Sequence, residues 1–84
     1  MSRFTVDDVR RILRACAGEP DTISLDDDIS TVSFEDMGYD SLAVLEMAAR
    51  IQQEFLVAIP DETVAELPTP DAIVEYVNPR IAAA

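Results

Sequence analysis

The chain has 84 residues, of which 49% are hydrophobic, and this length suits one small domain with a single core. Seventeen acidic residues against six basic ones give a net charge of −11. That charge excludes nucleic acid as a partner, because phosphates must be neutralised by Lys and Arg, and it disfavours an anionic membrane surface. It favours protein partners that carry basic patches, with the chain itself expected to be a monomer.

The sequence contains neither histidine nor lysine, which removes most routes to catalysis. A Ser-His-Asp triad, a Cys-His pair, a Ser-Lys pair and a Schiff base each need one of these residues, so we expect no enzyme. A zinc site and an internal disulfide are excluded too, because the one cysteine is Cys16. No apolar run has the length of a signal sequence or a membrane span. We therefore expect a cytoplasmic protein, and the start at Met1 suggests a free-standing one.

The acidic run Asp26-Asp27-Asp28 raises the question of a calcium loop. An EF-hand loop that began at Asp26 would place Thr31 where glycine is needed and Met37 where the bidentate glutamate is needed. We therefore interpret the run as a solvated turn and expect no metal.

The first predicted helix covers residues 5–17. Thr5 suits its N-cap, Asp7 and Asp8 suit its positive first turn, and Gly18 suits its end. Apolar side chains at helical spacing form one face, on which Cys16 is expected to be a buried, structural thiol: Val6, Val9, Ile12, Leu13 and Cys16.

Residues 19–40 have no helical period and are predicted to form a long loop. Pro20, the acidic run and Gly38 favour a loop, while interspersed apolar side chains should pin it to the core. Two short strands, at Ile23–Leu25 and Val32–Phe34, are the less favoured alternative.

The second helix is predicted over residues 41–56, with Asp40 as its N-cap. One stripe of this helix should face the core: Val44, Met47, Ala48, Ile51 and Phe55. Leu42, Leu45 and Ala49 lie nearly opposite, together with the polar side chains of Glu46 and Gln53. A second apolar stripe with an acidic rim is typical of a transient docking surface, although the long loop could instead fold over it and bury it.

Two further helices complete the predicted fold. A short helix over 61–66 should follow Pro60 with Asp61 as its cap, and the last should start at Thr69-Pro70. Asn78-Pro79 should end it and leave residues 80–84 as a frayed tail. The fold class is thus all-α, a bundle of three main helices and one short helix.

Ser41 is the candidate functional residue. It sits at the first helical position, where the helix N-terminus would stabilise a phosphate on its oxygen. Gly38 next to Tyr39 indicates a tight turn that would present the hydroxyl to solvent. An ordinary capping pair, Asp40-Ser41, is the alternative interpretation.

The run Phe34-Glu35-Asp36-Met37-Gly38-Tyr39-Asp40-Ser41-Leu42 resembles the attachment signature of acyl carrier proteins. The resemblance continues through Glu46, Glu54-Phe55 and Ile59-Pro60-Asp61 into the final helix, and so covers essentially the whole chain. It implies that Ser41 receives 4′-phosphopantetheine from coenzyme A, and that the protein carries intermediates without catalysing a reaction.

Gly38-Tyr39-Asp40-Ser41-Leu42, with Cys16-Ala17-Gly18, looks most like carriers of type II polyketide synthases, which make aromatic polyketides. A fatty-acid carrier is the alternative, from which the chain departs at Ala43, Gln52 and Gln53. The resemblance implies that the arm holds malonyl units and the growing chain as thioesters.

The implied partners are a phosphopantetheinyl transferase, a malonyl acyltransferase, a ketosynthase with its chain-length factor, a ketoreductase and cyclases. They are expected to meet a surface beside the attachment site formed by Asp40, Leu42, Leu45, Glu46 and Ala49. Two other classes remain open: an acidic helical adaptor without a prosthetic group, and an enzyme whose Ser41 nucleophile takes its base from another chain.

Overall fold

The computed structural model describes residues 3–20 and 24–83, the last two of these by their backbone alone. It has four helices: α1 (Val6–Cys16), α2 (Ser41–Phe55), α3 (Asp61–Val64) and α4 (Pro70–Ala83). No strand occurs in these residues, so the predicted all-α fold is confirmed. The alternative strand at Val32–Phe34 is wrong, and the one at Ile23–Leu25 falls partly outside the described residues. None of the helices seen in the described ranges has the length and apolar character needed to cross a membrane.

Helix α1 begins and ends as its sequence predicts. The Thr5 hydroxyl accepts from the Asp8 N–H at 3.3 Å, and the Asp8 carboxylate accepts from the Thr5 N–H at 3.0 Å, which together form a capping box. At the other end, Ala17 and Gly18 both donate to the Leu13 carbonyl, with Gly18 at a φ of +79°. A left-handed residue of this kind costs glycine nothing, and it turns the chain away from the helix.

Helix α2 is capped by Asp40, whose carboxylate accepts from the Ala43 N–H at 2.9 Å, as predicted. The short helix α3 differs from its prediction. Its N-cap is Pro60, without any side-chain cap, and Asp61 is the first helical residue, so the assignment of Asp61 as the cap is wrong. The helix also ends at Val64, because residues 65–66 continue as a turn.

Helix α4 starts at Pro70, and the Thr69 hydroxyl accepts from the Ala72 N–H at 3.2 Å. The predicted end at Asn78-Pro79 is wrong, because the helix continues to Ala83. Pro79 removes one backbone bond, but it is exposed to water, and Arg80 adds contacts beyond it. The Arg80 guanidinium lies 3.5 Å from the centre of the Tyr76 ring and donates to the Tyr76 carbonyl at 2.7 Å. The fraying predicted for residues 80–84 stays a prediction.

Asn78 has a different role from the helix-ending one predicted. Its side-chain amide accepts from the Phe4 N–H at 2.9 Å and donates to the Phe4 carbonyl at 2.8 Å. The Phe4 ring then packs edge-on against Phe55, with 5.1 Å between the ring centres. The segment before α1 is thus held to both α4 and the end of α2.

The hydrophobic core draws on the main helices and on the long loop. The loop side chains of Leu25, Ile29 and Phe34 are buried, as the pinned-loop prediction requires. They meet buried side chains from the three longer helices: Val9, Ile12, Leu13, Met47, Ala48, Ile51, Ile73 and Val77.

Two arginines of α1 fasten the first half of the loop. Arg10 donates to the Leu25 carbonyl at 2.6 Å and the Asp27 carbonyl at 3.2 Å, and it pairs with Asp7. Arg14 pairs with Asp26 at 2.7 Å. The acidic run is therefore engaged with α1, and no group of metal-ligating side chains occurs in residues 3–20 and 24–83.

The second half of the loop is held at the start of α4. The Phe34 N–H donates to the Pro68 carbonyl at 2.9 Å, and the Asp71 N–H donates to the Ser30 carbonyl at 2.9 Å. These bonds fix the segment that leads into Ser41.

Candidate functional site

Ser41 is the first residue of α2 and is exposed to solvent. Asp40 caps the helix and leaves other N–H groups of the first turn without intrahelical partners. These N–H groups and the helix dipole favour negative charge at this end. The position therefore suits a phosphate ester on the Ser41 oxygen.

The turn before Ser41 is tight, as predicted, and it is built by backbone bonds. Gly38 has a φ of +94° and donates to the Glu35 carbonyl at 3.0 Å, while the Tyr39 N–H donates to the Phe34 carbonyl at 3.0 Å. The left-handed φ explains why glycine occupies position 38. The turn sends the chain directly into the Asp40 cap.

Tyr39 is a residue whose role was not predicted from the sequence. Its side chain is buried, and its hydroxyl donates to the Gly18 carbonyl at 2.7 Å. Burial raises the pKa of this phenol, with the nearby charge of Glu19 adding to the effect. The end of α1 is thereby tied to a residue two positions before Ser41.

The second stripe of α2 is not covered by the long loop. The Leu42 side chain is 64% exposed, and Ala49 and Glu46 are exposed as well, so the alternative in which the loop buries this face is wrong. Leu45 is half-buried, because it faces a cleft. On the core side, Val44 and Phe55 are also only half-buried, whereas Met47, Ala48 and Ile51 are buried as predicted.

The cleft opens beside Ser41 and has a volume of about 540 Å³. Its apolar walls come from the loop, from α2, and from α3 with the segment that follows it: Phe34, Val44, Leu45, Val64, Ala65, Leu67 and Pro68. The polar residues that line it, besides Ser41, are Ser33, Glu35, Tyr39, Asp40 and Asp61. A chain attached to Ser41 would have an apolar recess within reach.

Cys16, the last residue of α1, is half-buried in a second groove, which is separate from the cleft. This groove has a volume of about 290 Å³ and is also lined by Glu46, Ala49 and Arg50 of α2. Burial is the largest cause of a raised pKa for its thiol. The prediction of a buried thiol is wrong, because Cys16 is only half-buried, and its structural role stays a prediction.

Comparison with known proteins places this geometry in a family. The family model described as "Phosphopantetheine attachment site" matches residues 7–77. The granaticin polyketide synthase acyl carrier protein of Streptomyces violaceoruber is 47% identical over 93% of this chain and 92% of its own length. The actinorhodin counterpart of Streptomyces coelicolor is 44% identical over 96% and 94%. The chain belongs to the acyl carrier proteins of type II polyketide synthases.

Solved structures of such acyl carrier proteins have the same fold. The 3-oxo-butyl form of the actinorhodin acyl carrier protein superposes with a TM-score of 0.85 at 41% identity, covering 99% of this chain and 96% of that one. The oxytetracycline acyl carrier protein gives 0.83 at 37% identity, covering 99% and 87%. The predicted family and its four-helix architecture are both confirmed.

Family membership also fixes the type of protein and its prosthetic group. An acyl carrier protein is a non-catalytic component that works with the other components of its synthase, and it bears phosphopantetheine; the actinorhodin relative has been solved in a holo form. An exposed serine at a helix N-terminus, with an apolar cleft beside it, fits that group.

Proposed function

We propose that this protein holds malonyl units and a growing polyketide chain on a phosphopantetheine arm attached to Ser41, and presents them to the enzymes of a type II polyketide synthase. The observation that carries the proposal is the exposed Ser41 at the N-terminus of α2, at the edge of the apolar cleft. Solved forms of the actinorhodin relative bear a malonyl group and a 3-oxo-butyl group that mimics an intermediate, which supports this proposal. When bound, phosphopantetheine supplies the thiol on which acyl groups are held as thioesters.

Attachment needs a separate transferase. The Ser41 oxygen forms a bond to the phosphorus of coenzyme A that carries the pantetheine. The phosphoanhydride bond at that phosphorus breaks, and adenosine 3′,5′-bisphosphate leaves. The chain has neither His nor Lys, and we propose that a base of the transferase takes the serine proton. This chain contributes the exposed hydroxyl and the helix N-terminus that stabilises the phosphodiester product.

Partner enzymes are proposed to dock on the surface formed by Asp40, Leu42, Leu45, Glu46 and Ala49. The proposed partners are the transferase, malonyl acyltransferase, ketosynthase with its chain-length factor, ketoreductase and cyclases. Leu42 supplies the exposed apolar contact, and Glu46 lies one turn further along the same side of α2. A net charge of −11 favours basic partners, and docking should weaken as salt rises.

The cleft is proposed to shelter part of the carried chain. Its apolar walls favour the methylene and methyl groups of an acyl chain over water. We further infer that residues 1–84 act as one monomeric carrier domain in the cytoplasm, with no nucleic-acid or membrane partner.

Intact mass spectrometry tests the attachment. Wild-type protein incubated with coenzyme A and a phosphopantetheinyl transferase should gain the mass of one phosphopantetheinyl group, and Ser41→Ala should gain nothing. Ser30→Ala, which removes a hydroxyl from the same loop away from α2, is the matched control and should be modified normally. A wild type without mass gain would indicate an adaptor. A mass gain on Ser41→Ala would show that the arm is attached to another residue.

A further inference from the structure

The hydroxyl groups that line the cleft differ in whether their proton is available for a hydrogen bond to a molecule in the cleft. Ser33, Tyr39 and Ser41 all lie at the cleft. The Tyr39 proton is committed to the Gly18 carbonyl at 2.7 Å, and the Ser41 oxygen is the proposed attachment point. Ser33 accepts from the Asp36 N–H at 3.0 Å, and a hydroxyl that accepts in this way still has its own proton to donate.

The other polar side chains of the cleft lining are acidic. Glu35, Asp40 and Asp61 are carboxylates, which only accept hydrogen bonds and repel carbonyl oxygens. Among the described residues that line the cleft, none is Arg, Lys, Asn or Gln. Elimination therefore leaves the half-buried Ser33 as the side-chain donor available to a molecule in the cleft.

A β-keto chain and a saturated chain of equal length make different demands on such a cleft. Apolar walls accept the methylene groups of both. A ketone oxygen that leaves water for an apolar wall loses its hydrogen bonds, and this penalty falls only on the β-keto chain. One donor at the wall removes part of that penalty.

We propose that Ser33 determines specificity: its hydroxyl donates to a ketone oxygen of a poly-β-keto chain, so that the cleft retains such a chain in preference to a saturated one. This inference rests on the proposed carrier function. The contribution of one neutral hydrogen bond corresponds to a preference of about fivefold.

The experiment compares two stable arms on the same protein. Wild type is loaded with a 3,5-dioxohexyl or a hexyl arm, and the fraction of each arm inside the cleft is measured from NMR contacts to Val64 and Leu67, which line it. Ser33→Ala should lower the ratio of cleft-bound to free dioxohexyl arm about fivefold and leave that ratio unchanged for the hexyl arm. Ser33→Thr keeps a hydroxyl and should restore the wild-type preference.

Two further variants separate the donor from the local fold. Ser33→Asp keeps an acceptor for the Asp36 N–H but brings no proton, so it should lose the preference as Ser33→Ala does. Tyr39→Phe removes the other hydroxyl of the same wall and should change the two arms equally. The ratio between arms within each variant is the readout, so a general loss of stability cancels.

The inference is overturned if Ser33→Ala and Ser33→Asp keep the wild-type ratio, if they affect both arms alike, or if neither arm enters the wild-type cleft. Loading itself is followed by intact mass. Failure to load the wild type refutes the proposed function, whereas normal loading with an unchanged ratio refutes only the role of Ser33.

Discussion

The Tyr39 hydroxyl donates to the Gly18 carbonyl over 2.7 Å and so joins the end of α1 to the segment that leads into Ser41. The two residues are 21 positions apart, and Tyr39 is also one of the residues that line the cleft. Gly18 presents its carbonyl here because its left-handed conformation turns the chain after α1. The position of Ser41 therefore depends on the first helix as well as on its own.

Tyr39→Phe should lower the free energy of unfolding by about 1 kcal/mol, because it removes one partly buried hydrogen bond and leaves the Gly18 carbonyl without this donor. Urea unfolding followed by circular dichroism measures the change. Tyr76→Phe is the matched control, since the ring that Arg80 covers is kept. Equal stability of Tyr39→Phe and wild type would contradict a stabilising role for the Tyr39–Gly18 hydrogen bond.

Gly38→Ala should destabilise the protein by roughly 1–2 kcal/mol through the backbone alone. A Cβ at this position meets no atom within 4 Å, so crowding adds nothing, but the φ of +94° is unfavourable for alanine. Gly38→Asn should cost less, because asparagine tolerates left-handed conformations better. Thermal unfolding of the three proteins checks the order, and an alanine variant at least as stable as the asparagine one would refute it.

Asn78→Ala should lower the free energy of unfolding by about 2 kcal/mol, because both of its hydrogen bonds to Phe4 are lost together. Hydrogen exchange at the Phe4 amide should become faster as the first segment loosens. Glu75→Ala, an exposed change on the same helix, should leave both measurements near wild type. A smaller loss of stability in Asn78→Ala than in Glu75→Ala would contradict the inference that Asn78 holds the segment before α1.

The contribution of Asp28 to stability should disappear in acid. The Ser30 hydroxyl, at 2.7 Å, and the Ser30 N–H, at 3.2 Å, donate to its carboxylate and lower its pKa in the folded protein. A lowered folded pKa means that the stability is present above the unfolded pKa and is lost as pH falls through the folded one. The difference between wild type and Ser30→Ala in urea unfolding should therefore shrink below about pH 4. A constant difference down to pH 2 would disprove the linkage.

Docking is tested by a pair of matched substitutions at the two ends of α2. Leu42 is 64% exposed beside Ser41, and Leu56 is 85% exposed just beyond the far end. Leu42→Asp should lower kcat/KM for phosphopantetheinyl transfer by roughly tenfold, as loss of a central interface contact does, while Leu56→Asp should not.

Reversal of charge tests the acidic part of the same surface. Glu46→Arg should slow both arm transfer and chain extension, with a weaker effect at high salt, because basic partners would meet a like charge. Rates unchanged in both Leu42→Asp and Glu46→Arg would remove the docking assignment.

The helices were predictable where local chemistry decides them. Thr5 and Asp40 mark the starts of α1 and α2 by short-range capping bonds, which depend on residues three positions away. The end of α4 was not predictable, because Asn78, which was expected to end the helix, bonds instead to Phe4, 74 positions away in the chain.

The site was predictable only in part, for a similar reason. Ser41 could be found from its place after a cap and from the run of residues around it. The partner of Tyr39 lies 21 positions away, and nothing near Tyr39 in the chain indicates that its hydroxyl meets Gly18. The cleft also depends on how α3 approaches α2, which is a matter of tertiary packing.

The ion pairs of α1 have a chemical consequence for a protein that carries thioesters. Arg10, Arg11 and Arg14 supply the cation of each pair found in the described residues, with Arg11 also joining α1 to Glu54 at the end of α2. The carboxylates beside Arg11 and Arg14 raise the pKa of both guanidinium groups, which are protonated in proteins even without such a shift. A lysine in any of these places would release some free amine, and amines convert thioesters into amides. The side chains that brace this fold are thus unable to intercept its cargo by aminolysis.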